Sequence, residues 1–344
     1  MDPRCRGRFG PNDAVRVPLA VSIEPEPDSR NRTTALIFFP VTAAGHDRAG
    51  GQGSRMEPVL RTILVPLGGL PDARDALDAA MSIAKRFEAQ IEVLHVYEVP
   101  RRYAAGWEDR PTAAFVDEMA AAQRAANDRM AAARAQFDQT CAAHGVPTVE
   151  EPQMKGCAAH FSIITGEEED ISSAFGRLSD LIVATTPHEE GDSEIHQTVQ
   201  ALLMETGRPV LVIPNGGADS VGKSVAIAWN GRSEASRAIH FSLPFLWTAE
   251  RVVVLEVEGA GRRRGLSSAA VVRYLAQHGV EATAENVERR GRSIGRSLLA
   301  AAQATDTDLL IMGGNAQTRL RHLIFGTVTG DVLSGARFPV LLAH

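Results

Sequence analysis

The chain is poor in cysteine, in aromatic side chains, in excess charge of one sign and in long apolar runs, and each shortage removes a class of answers. Cys5, Cys141 and Cys157 form no C-x-x-C pair, so no disulfide framework is expected and a reducing, cytoplasmic setting is. Aromatic residues make up 5% of the sequence beside 30 glycines, which suits an α/β protein with many tight loops. The net charge is −6, so no global excess draws the chain to nucleic acid or to an anionic membrane. No apolar run approaches the ~20 residues of a membrane span, and no basic-then-apolar leader opens the sequence. The 10 histidines lie scattered, without metal-ligand spacing.

What is there is an ordinary globular composition, 44% hydrophobic and 23% charged over 344 residues, with room for two cores. Residues 1–55 mix Pro, Arg, Gly and Asp around one apolar run, ALIFFPV, and read as a disordered extension. Met56, directly before EPVLRTILVPLG, reads as the natural start.

GADSVGKS (Gly217–Ser224) fits the phosphate-loop pattern G-x-x-x-x-G-K-[ST]. That loop works only between a strand and a helix, whose N-terminal N–H groups hold the phosphates. Here RPVLVIPNG precedes it and SVAIAWNG follows, and both read as short buried strands with turn signals. The match therefore reads as a linker, 217–223, between two domains.

Those domains repeat each other. TILVPLGG (Thr62–Gly69) resembles SVAIAWNG (Ser224–Gly231), and each precedes an amphipathic helix and a second strand, IEVLHVYE (Ile91–Glu98) or RVVVLEVE (Arg251–Glu258). The match returns in DLIVATTP (Asp180–Pro187) and DLLIMGGN (Asp308–Asn315), then in GRPVLVIP (Gly207–Pro214) and ARFPVLLAH (Ala336–His344). The first copy carries an additional long Ala-rich helix over about Ala113–His144. Alternating strands and helices imply an α/β fold, two tandem open-sheet domains of mainly parallel strands with helices on both faces, over residues 56–216 and 224–344.

Ligands of such sheets sit beyond the carboxyl ends of the strands, where strand order switches. At those ends the first copy offers TTPHEEGDSEIHQ, whose acids would repel a polyphosphate, and the second offers MGGNAQTRLRHLIFGTVTGDVL. The second copy is the expected site.

Taken together these residues resemble the universal stress protein family in its tandem two-domain form. Its nucleotide-binding members carry G-x2-G-x9-G-[ST] after the fourth strand; here Gly313, Ala316, Gly326 and Thr327 occupy those positions. The resemblance implies a Rossmann-like, adenine-nucleotide-hydrolase-like sheet of five strands per domain that binds ATP or another adenine nucleotide, with Mg2+ as a companion ion. It places Trp229, Asn230 and Gly231 at the turn after the first strand, with Asn230 where the family has Asp. Val257 would meet the adenine through its backbone, and Gly313, Gly314 and Asn315 would surround ribose and phosphate, with Arg319 nearby. Gly326, Thr327 and Val328 would present N–H groups and a hydroxyl to the phosphates. If Ala316 must adopt a positive φ, its Cβ costs on the order of 1 kcal/mol, and binding weaker by about tenfold, rather than abolished, is expected. The resemblance further implies a pseudo-dimer of the two domains, their sheets packed face to edge, a homodimer of chains as a further assembly, and regulation by binding rather than turnover, with at most weak ATP hydrolysis. The competing reading is a nucleotide-free interaction scaffold whose site has decayed through Ala316 and Asn230.

Simpler readings hold elsewhere. GRSIG (Gly291–Gly295) matches a nucleophile elbow, but EATAENVE before it is too polar for a buried central strand, so Ser293 reads as a helix cap. GRRRG (Gly261–Gly265) and Arg289–Arg290 read as solvated loops, Cys141 and Cys157 as small packed residues, and His95 and His240 as local packing or capping groups.

Overall fold

The repeat in the sequence becomes a repeat of elements. In the computed structural model, which describes residues 60–68, 73–98, 113–153, 156–186, 193–260, 266–314 and 326–344, the first half runs β1 (Thr62–Pro66), α1 (Ala73–Phe87), β2 (Gln90–Tyr97), α2 (Ala113–His144), β3 (Ala158–Thr165), α3 (Glu168–Gly176), β4 (Leu181–Thr185), α4 (Ser193–Glu205) and β5 (Val210–Ile213). The second half runs β6 (Ser224–Ala228), α5 (Ser233–Phe241), α6 (Leu243–Trp247), β7 (Arg251–Val257), α7 (Ser268–Gln277), β8 (Thr283–Val287), α8 (Ile294–Ala304), β9 (Leu309–Gly313), α9 (Thr327–Gly335) and β10 (Val340–Ala343). The extension 1–55, the Met56 start and the GRRRG loop fall outside the described residues.

The strands form one ten-stranded sheet ordered β3-β2-β1-β4-β5-β10-β9-β6-β7-β8. Every pairing within a half is parallel, and β10 joins β5 antiparallel, with Leu341 opposite Leu211. The expected face-to-edge packing of two sheets is thus replaced by edge-to-edge continuation. The physical reason lies in VLVI and VLLA, which are buried on both faces and leave a row of N–H and C=O groups that only another strand can satisfy.

Side-chain alternation sorts the core into two layers. Val65, Leu211, Val225 and Leu341 join α1, α2, α5, α6 and α7 on one face, and Leu64, Val210, Ala226 and Leu342 join α3, α4, α8 and α9 on the other. Each layer runs through both halves. α1 buries Ala73, Ala76, Leu77, Ala80, Met81 and Ala84 at helical spacing, with Asp75 in its first turn and Lys85 and Arg86 in its last, as the helix dipole favours. Its far end crosses to the second half: Arg86 donates to the Val221 carbonyl at 2.8 Å and to Thr248, and the Phe87 ring meets Phe245 edge-on at 5.4 Å.

The strand starts show why the phosphate-loop match is not one. β6 follows it where a helix is needed, and its donors already hold an anion. Asp308 accepts from the Ser220 hydroxyl and from the N–H groups of Gly222, Lys223 and Ser224, at 2.6, 3.1, 3.0 and 2.9 Å. Asp180 does the same for β1, accepting from the N–H groups of Arg61 and Thr62 at 2.8 and 3.0 Å and from the Thr62 hydroxyl. The duplication reaches individual hydrogen bonds.

Candidate functional site

In the second half the strand order switches between β6 and β9, which lie side by side. The carboxyl ends of β9, β6 and β7 therefore bring Gly313 and Gly314, then Trp229, Asn230 and Gly231, then Val257, along one sheet edge. Gly326, Thr327 and Val328 open α9, the helix that follows β9. Asn315, Ala316 and Arg319 lie outside the described residues.

Several of these residues have structural work. The Asn230 side chain accepts from the Arg232 N–H at 3.1 Å, closing an Asx turn in which Gly231 has φ +71°. The Trp229 indole donates to the Leu266 carbonyl at 2.7 Å, so it braces the approach to α7. Val257 is buried, and its carbonyl accepts from the Ala260 N–H at 3.0 Å. A Cβ on Gly313 would lie 2.7 Å from the Ala235 nitrogen and 2.8 Å from the Glu234 Cβ, so glycine lets α5 start against the end of β9. A Cβ on Gly314 would lie 2.6 Å from a Leu203 methyl of α4. The glycine pair admits close packing from both halves, a role that the sequence pattern alone does not separate from ligand approach.

Charge and capping distinguish the helix N-termini at this edge. Partial burial acts to raise the Glu234 carboxyl, but its own backbone N–H, the Ser233 hydroxyl, Arg237 and His344 outweigh that and hold it below its ordinary value. The α5 N-terminus thus carries its own anion. Glu256 accepts from the Ser268 N–H at 2.8 Å and fills the start of α7. Ser293 accepts from the Arg296 N–H and donates to Asp331 at 2.5 Å, so Ser293 is a helix cap, as its sequence context implies. α9 differs: Gly326 at its N-cap offers no side chain, and its first turn holds no acid. Backbone donors and the positive end of the dipole there suit a phosphate.

Beside Val257 the edge opens into a cleft of ≈ 470 Å³ lined by Glu256, Glu258, Gly259, Asn286, Val287 and Glu288. The sequence pattern did not single out Glu234, Glu256 or this cleft. An acid in the first turn of a helix was the available signal for Glu234, whereas the cleft depends on which strand pairs with β7. Among the described residues no group of acids, histidines and cysteines could hold a metal ion, and no helix is long and apolar enough to cross a membrane.

The first half is built differently at the same edge. Thr185 and Thr186 stand where the second half has Gly313 and Gly314, and the Thr186 hydroxyl and N–H both donate to the Ile213 carbonyl. His95 is buried, its Nδ1 2.8 Å from the Leu67 carbonyl, and burial pushes its pKa down. Cys141 is buried in α2 with its thiol raised to about 11 by burial first, then by Asp138, and burial raises Cys157 as well; neither is a reactive thiolate.

A family model described as the universal stress protein family matches residues 60–214 and 226–344. A universal stress protein from Archaeoglobus fulgidus matches with 14% identity and TM-score 0.56, over 82% of this chain and 97% of that one. A protein from Pseudomonas aeruginosa described as a putative universal stress protein shares 17% identity at TM-score 0.45, over 83% and 93%. A universal stress protein solved in complex with cAMP shares 19% identity at TM-score 0.29, over 44% of this chain and 96% of its own. No curated protein matches.

Proposed function

Because the chain belongs to the universal stress protein family, we propose that it is a cytoplasmic regulatory protein that binds ATP or another adenine nucleotide in its second half and signals by being bound rather than by turnover. In this reading 56–216 and 224–344 are the two domains, 217–223 joins them, and the first serves as a degenerate partner in a pseudo-dimer. The observation that carries it is the contrast among N-termini: α5, α7 and α8 are filled by Glu234, Glu256 and Ser293, while α9 begins at Gly326–Thr327 with no acid in its first turn and no side-chain cap among the described residues. In this reading Gly326, Thr327 and Val328 are the phosphate cradle, the Val257 backbone faces the base, and Trp229, Asn230, Gly231, Gly313 and Gly314 frame the sugar and phosphates; Asn315, Ala316 and Arg319 are assigned to the same site by the family pattern alone. Any Mg2+ would arrive with the phosphates, and we assign it no ligand from this chain.

Calorimetric titration of ATP into the chain and into Gly326→Asp tests this. Micromolar binding that the variant loses supports the reading. Absence of heat with both proteins folded refutes it and favours the nucleotide-free scaffold.

A further inference from the structure

The connection between the third strand and the following helix differs between the halves in length and in charge. In the first half Thr165 and Gly166 lead directly to the acidic start of α3, Glu167, Glu168, Glu169 and Asp170. Burial, then Asp170, Glu167, Glu98 and Glu205, raise the Glu169 carboxyl, so acids crowd there. In the second half the connection is the longer Glu288–Arg292, and it carries Arg289, Arg290 and Arg292, followed by Arg296 in the first turn of α8.

These arginines are exposed, and only Arg290 is held by a carboxylate among the described residues, Glu288 at 3.4 Å. Arg289 donates its Nε to the Arg292 carbonyl at 3.1 Å, and its Nη1 lies 4.0 Å from where a Cβ on Gly259 would stand, at the mouth of the ≈ 470 Å³ cleft. Asp331 of α9 accepts from the Ser293 hydroxyl at 2.5 Å. The turn also abuts the proposed phosphate cradle: a Cβ on Gly295 would lie 2.5 Å from the Asp331 Cβ and 3.0 Å from the Val328 carbonyl oxygen. Arg292 and Arg296 therefore stand beside Ser293 and Gly295, the two residues that meet α9, neither guanidinium is paired with a carboxylate among the described residues, and guanidinium forks match phosphate oxygens.

We propose that Arg292 and Arg296 bind the distal phosphates of the ligand, so that the second half selects a chain of three or more phosphates over a monophosphate. The inference rests on the nucleotide reading above and names the feature of the nucleotide that is read. The nucleoside lies along β6, β7 and β9, the proximal phosphate meets Gly326–Val328, and the chain ends at the arginine turn. The first half, with carboxylates at the same place, rejects the same ligand.

The test is titration of ATP, AMP and inorganic tripolyphosphate into the full chain and into Arg292→Gln/Arg296→Gln, at low and at high salt. The expected result is ATP binding weakened about tenfold in the variant, AMP changed less than about twofold, and a steeper salt dependence for ATP in the parent protein. Equal ATP affinity in parent and variant, or equal losses for ATP and AMP, overturns the proposal while leaving nucleotide binding standing. If neither nucleotide binds the parent, the nucleotide reading fails, and tripolyphosphate decides here: binding lost in the variant keeps the arginine turn as an anion site, and no binding removes it.

Discussion

Replacing Asp308 by Ala would leave the N–H groups of Gly222, Lys223 and Ser224 without their acceptor in a half-buried position. Hydrogen bonds to a charged group are worth about 1.5–3 kcal/mol, so a loss of about 2–3 kcal/mol in urea unfolding is expected. Asp180→Ala, which removes fewer donors' partner, should cost less; equal or negligible losses would show that the loop finds other acceptors. The glycine pair gives a second residue-scale test. Gly313→Ala drives a Cβ into α5 backbone, whereas Gly314→Ala meets only the end of the Leu203 side chain, so the first should destabilise by about 1–3 kcal/mol and the second by less. Comparable melting shifts would refute that ordering. His160 supplies a pH test. Its bond to Glu92, at 2.8 Å, is the main cause that raises its pKa, against the opposing effect of burial, with Glu150 and Glu151 adding to it. A raised folded value means that the stabilisation is complete below the unfolded value of about 6.5 and is lost as pH rises through the folded one. The stability gap between the parent protein and His160→Gln should therefore narrow from pH 6 to pH 8 in parallel urea titrations; a gap that widens would contradict it.

At the scale of elements, the order of strands and helices, the Ala-rich α2 over Ala113–His144 and the polar edge character of β8, exposed along most of its length, were all legible, because period and turn chemistry are local signals. The occupancy of helix N-termini was not. That Glu234 accepts from its own backbone N–H in the first turn of α5, while no described side chain caps α9, depends on side-chain rotamers and on which elements meet at the edge, and neither is encoded in spacing. The same limit hid the partner of GADSVGKS, since Asp308 lies far along the chain from the loop it fills. One prediction belongs here. Glu234 sits in the first turn of α5, directly behind Gly313, where its charge opposes an incoming phosphate. Glu234→Gln should tighten ATP binding roughly twofold to fivefold, the range expected for one charge at a helix terminus, at some cost in thermal stability. Unchanged affinity would place the phosphates away from β9.

For the whole molecule, the sequence repeat announced two similar halves but not how they join. VLVI and VLLA read as buried strands wherever they go, and backbone pairing leaves no residue signature, so the antiparallel seam between β5 and β10 is visible only in three dimensions. The seam has a consequence for folding. Both core layers pass through it, Leu203 of α4 packs on Gly314, and Arg86 and Phe87 of α1 reach Val221 and Phe245. The halves should then unfold in one cooperative transition. Expressed separately, 56–216 and 224–344 should each expose an unpaired, apolar edge at β5 or β10. Each piece is expected to self-associate in sedimentation or size-exclusion measurements, and mixing them should yield a one-to-one complex as the seam re-forms. If both pieces remain folded, monomeric and indifferent to each other, the seam contributes little, and the halves are better regarded as neighbours than as a single folding unit.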